Sequence, residues 1–456
     1  MMKRRDVLKS LGALAGVAGA SRLLAACGGG GEGGPAGITN VVLLMMENRS
    51  YDHWMGARSM VEGKPGDGLT AGMSNMTASN VAVPIFPATP DTYCVPDPPH
   101  GWDASHMQFA GGANTGFIQA HQLDHPGDPS VMQYMQRADL PVTYALADAY
   151  ASSDRWFASV MGPTWPNRMY WLSGTSMGMT SNDVPDGGYT APTIFDRLDA
   201  IGVDFKIYYG DLPFVPLLSG VKVSFEGRLL RMKQFFTDAA AGTLPPVAYV
   251  DPPFAYGDDH PPHDVSFGQA MIASVYNALA ASPQWNNTLL VITYDEHGGF
   301  FDHVAPPANV PDEHADKGFD QLGFRVPALV IGPYAKQGHL SSVVRNHASA
   351  LKHLEGMFGT EPLTMRTTAA EDLSEMLDLD RLAAGKPAAP IAIPVVTVDE
   401  TMIPAKCQDA IAGHPVIENA RLHPERVAGL DATDDLPELW REIARWARSP
   451  VKSSRT

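Results

Sequence analysis

The sequence predicts an α/β fold: a central, mostly parallel sheet flanked by helices on both faces, with long loop excursions or a small cap subdomain. Three observations lead there. Short continuous apolar runs of strand length alternate with segments of helical period. The runs lack polar alternation, as strands buried on both faces do. Carboxylates, an amide and histidines crowd just past the ends of several runs, where open α/β sheets place their functional groups.

The first strand is expected at Asn40–Met46 (NVVLLMM), and others at Phe205–Tyr209 and at residues 247–250, 289–294 and 327–331. Apolar residues at Val265, Ala270, Met271, Val275, Ala278 and Leu279 predict a helix over residues 265–281. Similar patterns predict helices over residues 342–358, 370–377 and Leu436–Ala447. Residues 63–91 and 383–404 are rich in proline and small side chains, and read as surface excursions rather than linkers. No internal repeat or coiled-coil pattern is present.

With 456 residues, 45% of them hydrophobic, the chain can bury a large core without covalent staples. Three cysteines exclude a disulfide scaffold, and a formal charge of −17 argues against a nucleic-acid partner. Residues 1–27 read as an export signal. Arg4 and Arg5 form a twin-arginine pair ahead of an apolar run too short to span a bilayer comfortably. Leu24-Ala25-Ala26-Cys27 resembles a lipobox, which would make Cys27 a lipidated first mature residue. A plain cleavage site or a retained anchor are the alternatives. Residues 28–37 form a glycine-rich tether, and residues 38–456 the catalytic body. Membrane contact is expected only through the lipidated N-terminus. Cys94 and Cys407 would either pair in an oxidising compartment or stay free.

Five polar clusters punctuate the body. Glu47 and Asn48 end the first strand and offer oxygens to a hard or borderline divalent cation, although a solvated turn would use them too. Asp295 and Glu296 follow the strongest strand, where adjacent buried carboxylates are costly without a cation. Asp258-Asp259-His260-Pro261-Pro262-His263-Asp264 contains an N-cap candidate, Asp264, and a histidine suited to phosphate oxygens or a leaving-group proton. In Gly162-Pro163-Thr164-Trp165-Pro166-Asn167-Arg168 a hydroxyl and a guanidinium sit in a proline-stiffened loop. His100 and His106 flank a glycine- and tryptophan-containing turn. Each cluster is a weak signal by itself. Together they supply what metal-assisted phosphoryl transfer requires.

The stretches ENRSYDH from Glu47, HGWDASH from His100, GPTWPNR from Gly162, DDHPPHD from Asp258, TYDEHGGFFDHV from Thr293 and RVPALVIGPY from Arg325 carry a resemblance. The chain resembles the bacterial phosphoesterase family that contains phospholipases C and respiratory-burst-inhibiting acid phosphatases, within the alkaline phosphatase-like superfamily. The resemblance spans residues 38–358. It implies one divalent metal ion held by Glu47, Asn48, Asp295 and Glu296, and Thr164 as a nucleophile that also touches the metal. It implies that His260 binds phosphate or protonates the leaving group, and that one of His100 and His106 lines the pocket. Asp259, Arg168 and His303 are implied as supporting or substrate-binding residues. No additional Asp/His set for a second metal is evident from the motifs.

The expected activity is hydrolysis of a phosphate ester or phospholipid, phospholipase C-like, by in-line attack of Thr164 and a phospho-enzyme intermediate. A broad-specificity phosphomonoesterase is the alternative, and a surface lipoprotein without turnover is the alternative of another class. The chain after Phe358 carries no β-rich repeats, unlike some family phospholipases with long C-terminal extensions.

Overall fold

The computed structural model describes residues 37–184, 187–398, 407, 413–430 and 436–449. The signal and lipobox residues, 1–27, lie outside the described residues. An eight-stranded sheet organises the fold. In chain order its strands are β1 (Asn40–Met46), β2 (Ala151–Ser153), β3 (Phe205–Tyr209), β4 (Leu229–Arg231), β5 (Val247–Asp251), β6 (Thr288–Tyr294), β7 (Ala328–Ile331) and β8 (Leu340–Ser341). The spatial order is β8-β2-β7-β6-β1-β5-β3-β4. Only β7 runs against its neighbours; every other pairing is parallel.

All seven residues of β1 are buried, as are all seven of β6. Strands covered on both faces must be apolar throughout, which is why these segments read as unbroken hydrophobic runs. Parallel register pairs Leu44 with Ile292 and Met46 with Tyr294. The carboxyl ends of β1 and β6 therefore finish side by side, and the residues that follow them emerge together.

Helices α1 (Trp102–Phe109), α2 (Pro141–Ala149), α3 (Thr164–Ser173), α4 (Ile194–Ala200), α5 (Met232–Ala241), α6 (Val265–Ala280), α7 (Ala348–Phe358), α8 (Pro415–Leu422) and α9 (Leu436–Ala447) flank the sheet. They fall into packed groups: α2, α5 and α9 meet α6, whereas α4 and α7 meet α3. Helix α9 locks onto α6 through Trp440, which is fully buried with its ring 5.0 Å from Phe267. Asn277 of α6 donates to the Trp446 carbonyl at 2.9 Å. Among the described residues no helix is long and apolar enough to cross a membrane.

The structure corrects two expectations. Residues 370–377 form no α-helix; a helix at Met365–Ala369 precedes them and only a 3-10 turn, Ser374–Met376, lies within. Their apolar residues instead turn inward from an irregular segment, with Leu373, Met376 and Leu377 all buried. The helix expected over 342–358 starts at Ala348, because the preceding stretch pairs as β8 and as Arg345–Asn346 with Trp156–Phe157. Strands β2, β4 and β8 are too short to carry a sequence signal. Residues 63–91 form small ladders, Ser74–Met76 with Ala82–Pro84 and Phe86–Pro87 with Gln133–Tyr134.

Candidate active site

The site forms where β1 and β6 end. The Asp295 N–H donates to the Met46 carbonyl at 3.1 Å, and the Asn48 N–H donates to Asp295 Oδ1 at 3.0 Å. Asn48 adopts φ +59, and Gly298 at φ +61 closes over it. A Cβ on Gly298 would stand 2.3 Å from the Asn48 carbonyl oxygen, so the glycine is required by close backbone approach. Glu47, Asn48, Asp295 and Glu296 are all completely buried.

Thr164 opens α3, and Arg168 follows one helical turn later on the same face. Arg168 reaches Glu47 Oε1 from Nε at 3.0 Å and from Nη2 at 2.9 Å, and Asp295 Oδ2 from Nε at 3.5 Å. One guanidinium thus faces two buried carboxylates, Glu47 and Asp295. Burial, and then the charge of Asp295, hold the Glu47 carboxyl well above the usual carboxylate range despite Arg168. Burial raises Asp295 to about 6, and burial followed by the Asp295 charge raises Glu296 well above its ordinary value.

Several buried polar atoms here have no hydrogen-bond partner: Glu47 Oε2, Asn48 Oδ1, Thr164 Oγ1, Asp295 Oδ2, Glu296 Oε1 and His260 Nε2. Buried polar atoms are almost always paired, so such a group of orphans marks a missing ligand. Five are oxygens, three of them on carboxylates, which is the donor chemistry of a hard or borderline divalent cation. These donors therefore suit a divalent metal ion.

His260 donates Nδ1–H to the Pro261 carbonyl at 2.5 Å, which leaves the Nε2 lone pair as its free face. Burial, then the nearby His414, keeps the ring neutral, well below the usual histidine range. His100 donates Nδ1–H to the Pro98 carbonyl at 2.6 Å, and its Nε2 lies 3.4 Å from Asn48 Nδ2 and 3.3 Å from Glu296 Oε1. It lines a cavity of about 680 Å³ together with Asp97, Trp102, Pro163 and Asn182. His106 instead bonds the Trp102 carbonyl at 2.7 Å and packs on the Trp102 ring, outside that lining.

Asp259 sits at φ +76, and its Oδ2 accepts the Tyr294 hydroxyl at 2.7 Å. Burial raises its carboxyl to about 7. It braces the strand end without touching the orphaned atoms through any of these bonds. His303 belongs to a different cluster, bonded to Asp52 at 2.5 Å and to Asp67 at 3.0 Å, beside Arg325 and Asp302.

One site residue escaped the sequence reading. His414, the N-cap of α8, is fully buried with Nε2 2.8 Å from Asp258 Oδ2 and 3.7 Å from Glu47 Oε2. Glu47, His260 and His414 can bring ligand atoms within 4.8 Å of one another. Asp258 also accepts from His263 Nδ1 at 2.6 Å. An Asp/His set that the motifs did not reveal thus assembles beside the orphaned oxygens. Its only sequence signal was a histidine preceding a proline at a helix start, which capping explains as well. Cys94 and Cys407, left open by the sequence, form a disulfide with Cα atoms 5.2 Å apart.

The fold and the carboxylate-rich strand ends define a phosphoesterase-type protein, and the chain belongs to that family: the model described as "Phosphoesterase family" matches residues 38–361. Among its relatives, the chain is 37% identical to non-specific phospholipase C6 of Arabidopsis thaliana over 67% of this chain and 63% of that protein. It is 32% identical to phospholipase C B of Mycobacterium tuberculosis, over 71% and 73%. The chain thus spans slightly under two thirds of the first relative's length. Among solved structures, a member of the alkaline phosphatase superfamily from Vibrio parahaemolyticus aligns over 74% of this chain and 70% of that chain. Its identity is 12% and its TM-score 0.38.

Proposed function

We propose that this protein hydrolyses phosphate esters in the manner of a phospholipase C, with Thr164 as nucleophile. The observation that carries the reading is the set of buried atoms left without hydrogen-bond partners on Glu47, Asn48, Thr164, Asp295, Glu296 and His260, with ligand atoms of Glu47 and His260 within 4.8 Å of each other. One divalent metal ion would be held by the first five; when bound, it neutralises phosphate charge and favours the ionised hydroxyl.

Thr164 Oγ1 attacks phosphorus in line, forming the Thr164–phosphate bond while the bond to the alcohol oxygen breaks. The neutral His260 ring presents its Nε2 lone pair, so an arriving phosphate anion favours proton uptake there. That proton is the one the departing alcohol needs. Water then cleaves the phospho-threonine. Arg168 holds Glu47 in place and is not available to the substrate, because its bonds go to Glu47 and to the Met45 and Met46 carbonyls.

The cavity beside His100 favours a diester with a cationic headgroup. Asp97, Asp103 and Asp124 line it together with Trp102, and carboxylates with an aromatic face suit an ammonium group. The test compares release of phosphocholine from phosphatidylcholine with hydrolysis of an aryl phosphate, for wild type and Thr164→Ala. Wild type should act on the lipid and Thr164→Ala on neither. Full activity in Thr164→Ala would sink the nucleophile assignment, and aryl phosphate as the sole substrate would favour the phosphomonoesterase.

Export by the twin-arginine route and lipidation at Cys27 belong to the same proposal. The Cys94–Cys407 disulfide supports an oxidising destination. Palmitate labelling that persists in Cys27→Ala would refute the anchor.

A further inference from the structure

The family match ends at residue 361, yet the segment after it reaches the site at two points. Trp440 of α9 packs so closely on Gly257 that a Cβ there would stand 2.9 Å from its ring. The next residue, Asp258, is gripped by His414 at 2.8 Å. The Cys94–Cys407 disulfide ties the same segment to the loop that leads to His100.

Asp258 is the hub of these contacts. Its carbonyl accepts the Glu47 N–H at 2.8 Å, its Oδ1 accepts the His260 N–H at 2.9 Å and His263 Nδ1 at 2.6 Å, and its Oδ2 takes His414. A carboxylate buried beside Glu47 stays there only when its lone pairs are filled.

His414 divides its two nitrogens. Nδ1 accepts the Val416 N–H at 3.2 Å, capping α8, so in the neutral ring the proton is on Nε2 and is donated to Asp258. The separations of 2.6 and 2.8 Å from Asp258 to His263 and His414 are direct hydrogen bonds, with no room for an ion between.

We propose that His414 is a positioning residue of this active site, and that the C-terminal segment is therefore part of the catalytic unit: its Nε2–H fixes Asp258, which in turn sets the main chain of Glu47 and of His260. The catalytic half of this inference rests on the phosphoesterase reading above.

The two nitrogens allow a test that separates capping from positioning. His414→Asn places an amide near the Nδ1 position and keeps a cap for Val416, but does not reach Asp258. His414→Gln places its amide nitrogen near the Nε2 position and keeps the bond to Asp258. Each variant is titrated with Mn²⁺ after EDTA treatment, and kcat and KM are measured on an aryl phosphate. His414→Asn should lose on the order of tenfold to a hundredfold in Mn²⁺ affinity and in kcat, with KM changed far less. His414→Gln should recover most of both. Equal impairment of the two, no impairment of either, or the reverse order would overturn the proposal and leave His414 a helix cap or packing residue. If wild type hydrolyses no phosphate ester, the functional reading fails, and Mn²⁺ affinity alone still decides the role of His414.

Discussion

Arg168 Nη2 lies 2.9 Å from Glu47 Oε1, and Thr164 precedes Arg168 by one turn of the same helix. Helix α3 thus delivers the hydroxyl and the resident cation in one rigid piece. Removing the guanidinium strands Glu47 and Asp295 without a protein countercharge. Arg168→Met should cost about 3–5 kcal/mol of stability, the usual effect of breaking a buried pair. The loss of melting temperature should be larger in EDTA than in excess Mn²⁺, because a bound cation takes over part of the neutralisation. Equal losses in both buffers would show that arginine and metal do not share these carboxylates.

Gly298 closely constrains the main chain of Asn48, a proposed metal ligand. Its φ of +61 and the 2.3 Å approach to the Asn48 carbonyl leave no place for a methyl group. Gly298→Ala should cost at least ~1–2 kcal/mol from backbone conformation alone. It should also weaken Mn²⁺ binding by displacing Asn48. An alanine variant with wild-type metal affinity would mean that Asn48 Oδ1 is not a ligand.

His303 adds a pH dependence outside the site. Burial alone would lower its pKa, but its bond to Asp52 and the Asp52 charge lift it to about 9, above the ordinary value near 6.5. A raised folded-state pKa contributes stability that is full below the unfolded value and is lost as pH rises through the folded one. Wild type should therefore lose melting temperature between about pH 7 and pH 9.5, and His303→Gln should lose less over that window. Parallel curves for the two proteins would disprove the coupling.

The Cys94–Cys407 bond closes a sequence separation of 313 residues. Reduction should destabilise the protein by about 2–4 kcal/mol. Because Cys407 lies shortly before His414, reduction should also lower Mn²⁺ affinity, as His414→Asn does. A reduced protein with unchanged melting and metal binding would separate the staple from the site.

Much of this site was legible as composition at strand ends. The runs NVVLLMM and TLLVITY are fully buried strands, and the acids after them sit where such strands stop. Thr164 was legible as a hydroxyl in a proline-stiffened turn. The divided role of the histidines was not. His100 and His106 share one short motif, and only packing shows that His100 lines the cavity while His106 bonds back to Trp102. His303 lies close to Glu296 in sequence, yet the chain carries it into the Asp52 and Arg325 network.

By itself the sequence determined the α/β sheet, the two central strands and the oxygen-rich residues beyond them, because hydrophobic period and local residue type act over a few neighbours. The tertiary structure alone decided which polar groups share a countercharge, which are left without partners, and that His414 closes the site from 156 residues beyond Asp258. Those are properties of burial and distance between remote segments, and they come into being only when the strands align and water is excluded between them.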